Sequence, residues 1–341
     1  MTTPSDEDRP SITFSLAPAP HVDPPASAPE PPAAPAAAEV NPAERLREHL
    51  RESDAATPIG EQAMAAVRIR SGAETFPKPA ARRVITVSNQ KGGVGKTTSA
   101  VNLAVALALH GAEVLVIDLD PQGNASTALG VPHHVETPDV YAVLIDSLPM
   151  ADAVQPAANV DRLRVVPATL DLAGAELELV PMVAREHRLQ RAIQAYCEGP
   201  GADLDYVIID CPPSLGLLTV NAMVATSEVL IPIQCEYYAL EGLGQLLKTV
   251  EMVKAHLNPA LAVSTVLLTM YDGRTNLADQ VADEVRGHFG DLVLQTMVPR
   301  SVRVSEAPGY GQSVVTYDAG SRGALAYVSA AREMAVKGAA Q

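Results

Sequence analysis

The stretch Lys91-Gly92-Gly93-Val94-Gly95-Lys96-Thr97-Thr98 stands between a β-branched run, Val84-Ile85-Thr86-Val87, and an alanine-rich segment over 98–110 that Gly111 closes. A glycine loop leading from a strand into a helix lets backbone N–H groups surround a phosphate, and the helix N-terminus adds its positive end. Gly92, Gly93, Val94 and Gly95 supply the cradle, and Thr98 opens the helix. Lys96 is spaced to reach the β- and γ-phosphates, and the Thr97 hydroxyl to coordinate Mg2+. A glycine turn with chance lysines would have no reason to lie in this strand-to-helix context. The expected ligand is a nucleoside triphosphate with its metal.

Four more apolar runs follow, at 114–117, 206–209, 229–233 and 263–268, with helical stretches between them. They are continuous rather than alternating, as in strands buried on both faces of a parallel sheet. The expected fold is therefore α/β, a three-layer parallel-sheet P-loop domain over 81–341. The run at 114–117 ends in Asp118-Leu119-Asp120-Pro121-Gln122-Gly123, and the run at 206–209 ends in Asp210-Cys211-Pro212-Pro213-Ser214. Carboxylates just past the C-terminal ends of parallel strands sit in the ligand crevice. An aspartate after an apolar strand, as at Asp210, is the arrangement that holds Mg2+ through water.

Upstream, the composition changes. Residues 1–80 hold 14 of the 28 prolines, and 18–35 is mostly alanine and proline, which cannot bury enough apolar surface to offset ordering. Residues 1–80 read as a largely disordered Ala/Pro-rich extension, with short helical stretches within 41–70. Asn41-Pro42 resembles a helix start, Leu46 and Leu50 form an i,i+4 pair, and the stretch from Pro58 to Arg70 reads the same way. The acidic N-terminus, with Asp6, Glu7 and Asp8, does not resemble a signal peptide. No run reaches the roughly 18 apolar residues of a membrane helix. The three cysteines, Cys197, Cys211 and Cys235, lack metal-ligand spacing and suit a reduced, cytoplasmic interior.

The phosphate loop departs from the general pattern at its first glycine, where Gln90 stands and is followed by a second lysine, Lys91. This variant resembles the deviant Walker A loop of the ParA/MinD ATPases, and the resemblance runs from about Arg83 to Lys337. It implies an ATPase in which Lys91 reaches across a dimer interface to the partner's nucleotide. Such a charge supplied in trans is worth roughly 10³–10⁵ in rate. It also assigns Asp120 to the attacking water, Asp118 to the outer shell of the metal, and the stretch 212–214 to a switch loop.

Within that family, Leu268-Thr269-Met270-Tyr271-Asp272-Gly273-Arg274-Thr275-Asn276 and Val298-Pro299-Arg300-Ser301-Val302-Arg303-Val304-Ser305-Glu306-Ala307-Pro308 resemble the matching stretches of ParA/Soj partitioning proteins. The resemblance implies that Arg274 and Arg303 contact DNA phosphates and that Pro299 and Ser301 hold adenine, with Ser301 standing where the family more often has asparagine. It further implies an ATP-bound homodimer, nonspecific DNA as partner, a nucleoid-associated location, and a ParB-type protein that stimulates hydrolysis. The alanine-rich C-terminus, with only Arg332 and Lys337 as cations over 324–341, does not suit the membrane helix of division-site ATPases. The cysteine positions do not suit a shared redox cluster. The net charge is −15, and 270–341 carry seven Lys/Arg against eight Asp/Glu, so any DNA surface must be assembled by folding and dimerisation. The alternative is a ParA-like ATPase that positions another cargo, with a polar or cytoskeletal partner held by the N-terminal extension.

Overall fold

The computed structural model describes residues 58–70, 74–237 and 243–339. The Ala/Pro-rich stretch and the Leu46/Leu50 segment lie outside the described residues, and of the extension's expected partner site only the part over 58–70 is described. A seven-stranded sheet forms the centre: β1 (Arg83–Val87), β2 (Val114–Asp118), β3 (Gln155–Pro156), β4 (Leu163–Val166), β5 (Tyr206–Asp210), β6 (Glu228–Gln234) and β7 (Ala262–Thr269). Their order is β3-β4-β2-β5-β1-β6-β7, parallel throughout except for the antiparallel β3–β4 edge.

The helices that flank it are α1 (Pro58–Arg70), α2 (Lys96–Leu109), α3 (Asn124–Ala128), α4 (Leu172–Leu179), α5 (Arg188–Cys197), α6 (Leu217–Ala225), α7 (Leu243–His256), α8 (Asn276–Phe289), α9 (Val302–Glu306) and α10 (Arg322–Ala339). Successive strand residues point to opposite faces, and each face is covered. Val114 and Val116 of β2, with Tyr206 and Ile208 of β5, pack in one core with α2 and α10. Leu115, Ile117, Val207 and Ile209 pack in another with α4, α5 and α6. A third core joins β6 and β7 to α7 and α8. The three-layer α/β expectation is therefore met.

Two details differ from the sequence reading. Helix α2 begins at Lys96 rather than Thr98, because the last loop glycine, Gly95, is already its N-cap, in the left-handed region at φ 87°. Strand β4 was not anticipated, since four residues interrupted by Arg164 carry too weak a pattern. Among the described residues, no helix is long and apolar enough to cross a membrane. Helix α10 instead buries Tyr327, Ala330, Ala331, Met334 and Ala335 against the domain.

Candidate nucleotide site

Strands β1, β2 and β5 are neighbours, so their C-terminal ends open on one crevice. Val87 of β1 and Asp118 of β2 both lie in register with Asp210 of β5. The phosphate loop follows β1 at this end. Gly93 (φ 75°) and Gly95 (φ 87°) occupy the left-handed region that side chains disfavour. A side chain built on Gly92 or Gly93 would meet nothing within 4 Å, so the space above the loop is open. Asn89 holds the entry to the loop: its Nδ2 donates to the Pro232 carbonyl at 2.8 Å, and its Oδ1 accepts from the Lys91 N–H at 3.0 Å. The Thr269 hydroxyl braces the loop from β7 by donating to the Val94 carbonyl at 2.8 Å.

Charge is concentrated below that space. Lys96 is 7% exposed, and its ammonium donates to the Lys91 carbonyl at 3.3 Å. Burial draws Lys96 below the ordinary lysine range, while the nearby Asp210 pulls it back. Asp118 is fully buried and accepts from the Ser126 N–H (2.8 Å), the Ser126 hydroxyl (2.7 Å) and the Asp120 N–H (3.2 Å). Burial still pushes it up to about 6 against those bonds. Asp120 lies at the rim, 9% exposed, and accepts from the Gln122 N–H at 3.0 Å. Asp210 is fully buried, and no well-formed hydrogen bond reaches either carboxylate oxygen, although the Thr97 hydroxyl and Lys96 lie near enough to favour its charged form. Burial, then the neighbouring Asp118, hold it well above the usual carboxylate range. A buried carboxylate without donors is costly unless a cation or water completes it. That orphaned group fits Mg2+ with its waters, close to Thr97 at the start of α2. Among the described residues, no group of three or more His, Cys, Asp or Glu could hold a metal alone, so phosphate and water would supply the remaining ligands.

A cavity of about 540 Å³ adjoins the loop and is lined by Gly95, Thr98, Met270, Pro299, Ser301 and Val304 among others. It brings two of the residues expected at the base, Pro299 and Ser301, to the same space as Gly95 and Thr98. The expected DNA arginines are on exposed segments beyond it. Arg274 pairs with Asp272 at 2.7 Å, and Arg303 pairs with Glu306 at 3.0 Å and Asp318 at 3.4 Å. Their segments are joined by a bridge between Tyr271 and Pro299 and by the Arg300 N–H donating to the Tyr271 carbonyl at 3.1 Å. The sequence reading passed over Arg300, which is exposed at this edge and pairs with Glu236 at 3.4 Å. Its place in the quoted motif was the available signal. It also passed over Ser126, whose link to Asp118 spans eight residues and depends on how α3 turns back.

Comparison with known proteins agrees with this layout. The AAA domain family model matches residues 82–263. The chain is similar to the sporulation initiation inhibitor protein Soj of Bacillus subtilis, 52% identical over 75% of this chain and 99% of that one. It is 50% identical to the chromosome partitioning protein ParA of Myxococcus xanthus, over 74% of this chain and 87% of the relative. Among solved structures it resembles cobyrinic acid a,c-diamide synthase from Mycobacterium smegmatis with bound ATP analogue and magnesium. The TM-score is 0.63 and the identity 38%, over 75% of this chain and 93% of that chain.

Proposed function

Because the chain belongs to the ParA/Soj family of chromosome-partitioning ATPases, we propose that its site runs a Mg-ATP-gated cycle of dimerisation and DNA attachment. The observation that carries this reading is Asp210, a buried carboxylate without a well-formed hydrogen bond, set beside Lys96 beneath an open glycine loop. The loop N–H groups of Gly92, Gly93, Val94 and Gly95 cradle the phosphates, with Thr98 beside them at the start of α2. Lys96 exchanges its contact with the Lys91 carbonyl for phosphate oxygens. Magnesium, when bound, supplies charge that screens the phosphates during transfer; Thr97 would hold it directly, Asp210 through water and Asp118 in the outer shell. Asp120, at the rim, orients the attacking water. Lys91, half-buried in the loop, reaches across the dimer interface to the partner's nucleotide. Pro299 and Ser301 receive the adenine.

In the ATP-bound homodimer, Arg274 and Arg303 of each subunit face DNA phosphates without reading bases. Four such contacts give a salt slope of roughly −3 to −4. A ParB-type partner then stimulates hydrolysis and releases the dimer. The test is ATP-dependent binding to nonspecific duplex DNA at low salt. We expect wild type to bind and Arg274→Glu to dimerise without binding. Equal binding with the same salt slope would move the DNA surface elsewhere. The name of the M. smegmatis structure suggests amidation chemistry instead. Here Cys197, Cys211 and Cys235 are all buried, and burial raises each thiol. None is poised as the thiolate that glutamine-dependent amidation requires.

A further inference from the structure

The segment ahead of β1 is packed into the domain. Ile69 of α1 and Phe76 are 4% and 8% exposed and belong to the core shared by α2 and α10. At the lower end, Phe76 stacks on His110 with ring centroids 4.1 Å apart, and its N–H donates to the His110 carbonyl at 2.9 Å. Glu74 adds a backbone contact to His110 Nδ1 (2.6 Å) and an ion pair to Arg332 (2.9 Å). At the upper end, α1 lies on Gly320. A Cβ there would stand 3.1 Å from the Gln62 carbonyl oxygen and 3.5 Å from the Ala66 Cβ. The matched family region starts at residue 82, after this strap.

Gly320 belongs to the turn that carries Asp318. The Asp318 carbonyl accepts from the Ser321 N–H (3.0 Å) and hydroxyl (2.8 Å), and the Asp318 N–H donates to the Val314 carbonyl (2.9 Å). The Asp318 carboxylate meets Arg303 Nε at 3.4 Å. An exposed ion pair between two free side chains is worth little, since both lose rotamer freedom. Here one partner sits on a turn braced by its own hydrogen bonds and by α1 from outside. A phosphate approaching Arg303 must displace a carboxylate that the strap keeps in place.

We infer that the strap formed by α1 and residues 74–76 is an intrachain brake on the DNA-facing arginine: docked on Gly320, it holds Asp318 against Arg303. Undocking lets the turn relax and takes Asp318 away from Arg303, which keeps its pair with Glu306 at 3.0 Å; a phosphate then has one carboxylate to displace instead of two. This rests on the reading of Arg303 as a DNA contact. Arg303 follows Ser301 on the segment that lines the cavity beside the nucleotide loop, so ATP affinity is followed in every variant and DNA binding is compared only at saturating ATP.

The test locks and unlocks the strap in the full chain. Ala66→Cys with Gly320→Cys places two Cβ atoms at the 3.5 Å contact, inside the roughly 3.5–4.5 Å that a disulfide spans. The native cysteines are buried and do not compete. Ala66→Gln pushes α1 off the turn without changing charge, and Asp318→Asn removes the braking carboxylate with the strap in place. Nonspecific duplex DNA affinity is then measured with saturating ATP across a salt series, with ATP affinity as the folding control. We expect Ala66→Gln and Asp318→Asn to bind about three- to tenfold tighter, with a slope steeper by about 0.9 per freed contact. The oxidised pair should bind more weakly than its reduced form, and adding Asp318→Asn should erase that difference. Failure of the disulfide to form in nucleotide-free protein overturns the docked strap. Equal affinities in locked and unlocked forms, with wild type binding DNA, overturn the brake alone. No binding by wild type or any variant overturns the DNA reading on which it rests.

Discussion

At the start of β1, Arg83 donates to both oxygens of Glu228 at 2.7 and 2.6 Å and to the Met334 carbonyl at 2.8 Å, with its guanidinium over the Tyr206 ring. At the other end of the same strand, the chain arrives beside Asp210, whose oxygens have no well-formed hydrogen bond and only the nearby Thr97 hydroxyl and Lys96 to favour their charge. Both ends bury charge. At one end the two charges match each other, and the Arg83 bonds draw Glu228 below the usual carboxylate range against its burial. The other is left incomplete and lifts Asp210 above that range. A sheet can hold such an end because its opposite end carries a matched ion pair and both of its faces are packed against helices. Stability and ligand binding are thus separated along a strand of five residues.

The comparison breaks most sharply at Lys96. Lys96→Ala removes the buried cation near Asp210, so ATP binding should vanish in a calorimetric titration while the fold survives. Unchanged affinity would mean the open end is not the phosphate site. Asp120→Ala should keep ATP and the dimer but slow hydrolysis by about 10²–10⁴-fold, as expected for a lost water-positioning carboxylate. Size exclusion with ATP, run beside a phosphate-release assay, separates the two effects. A mutant that stays monomeric yet hydrolyses normally would contradict it.

The closed end should answer in stability alone. Arg83→Met strands Glu228 in a half-buried position and should cost about 2–4 kcal/mol in denaturant unfolding. Replacing both partners with apolar residues should cost much less, and neither change should alter ATP affinity. The smallest effect is the pH response of the open end. Burial lifts Asp118 from 3.8 to about 6 in the folded protein. A carboxyl that keeps its proton longer when folded favours folding at low pH, and that advantage is lost as pH rises from about 4 through about 6. Nucleotide-free protein should therefore lose thermal stability across that window, and Asp118→Asn should flatten the profile.

The open end was far more legible than the closed one. Its parts are contiguous motifs, and each aspartate announces itself by following an apolar run. Arg83 and Glu228 are 145 residues apart and flank ordinary strands, so nothing local marks them as partners. Ser126 escaped for the same reason at shorter range, and β4 because Arg164 breaks its pattern. The sequence reading placed the folded domain from residue 81 and α1 in the extension. What it could not see is that Ile69 and Phe76 find apolar cover on α2 and α10, because burial depends on neighbours far along the chain.

The Thr269 hydroxyl bonded to the Val94 carbonyl ties the phosphate loop to the end of β7. The next residue, Met270, turns into the left-handed region at φ 50° and lines the cavity beside Pro299 and Ser301. On the proposed reading, the phosphate and base compartments share one wall. Adenosine or tripolyphosphate alone bears the full loss of translational freedom for half the contacts. The joined nucleotide bears it once, as a bivalent ligand matched to two fixed receptors. On that reading the wall would act as a ruler, and a whole nucleotide is expected to bind far more tightly than either fragment.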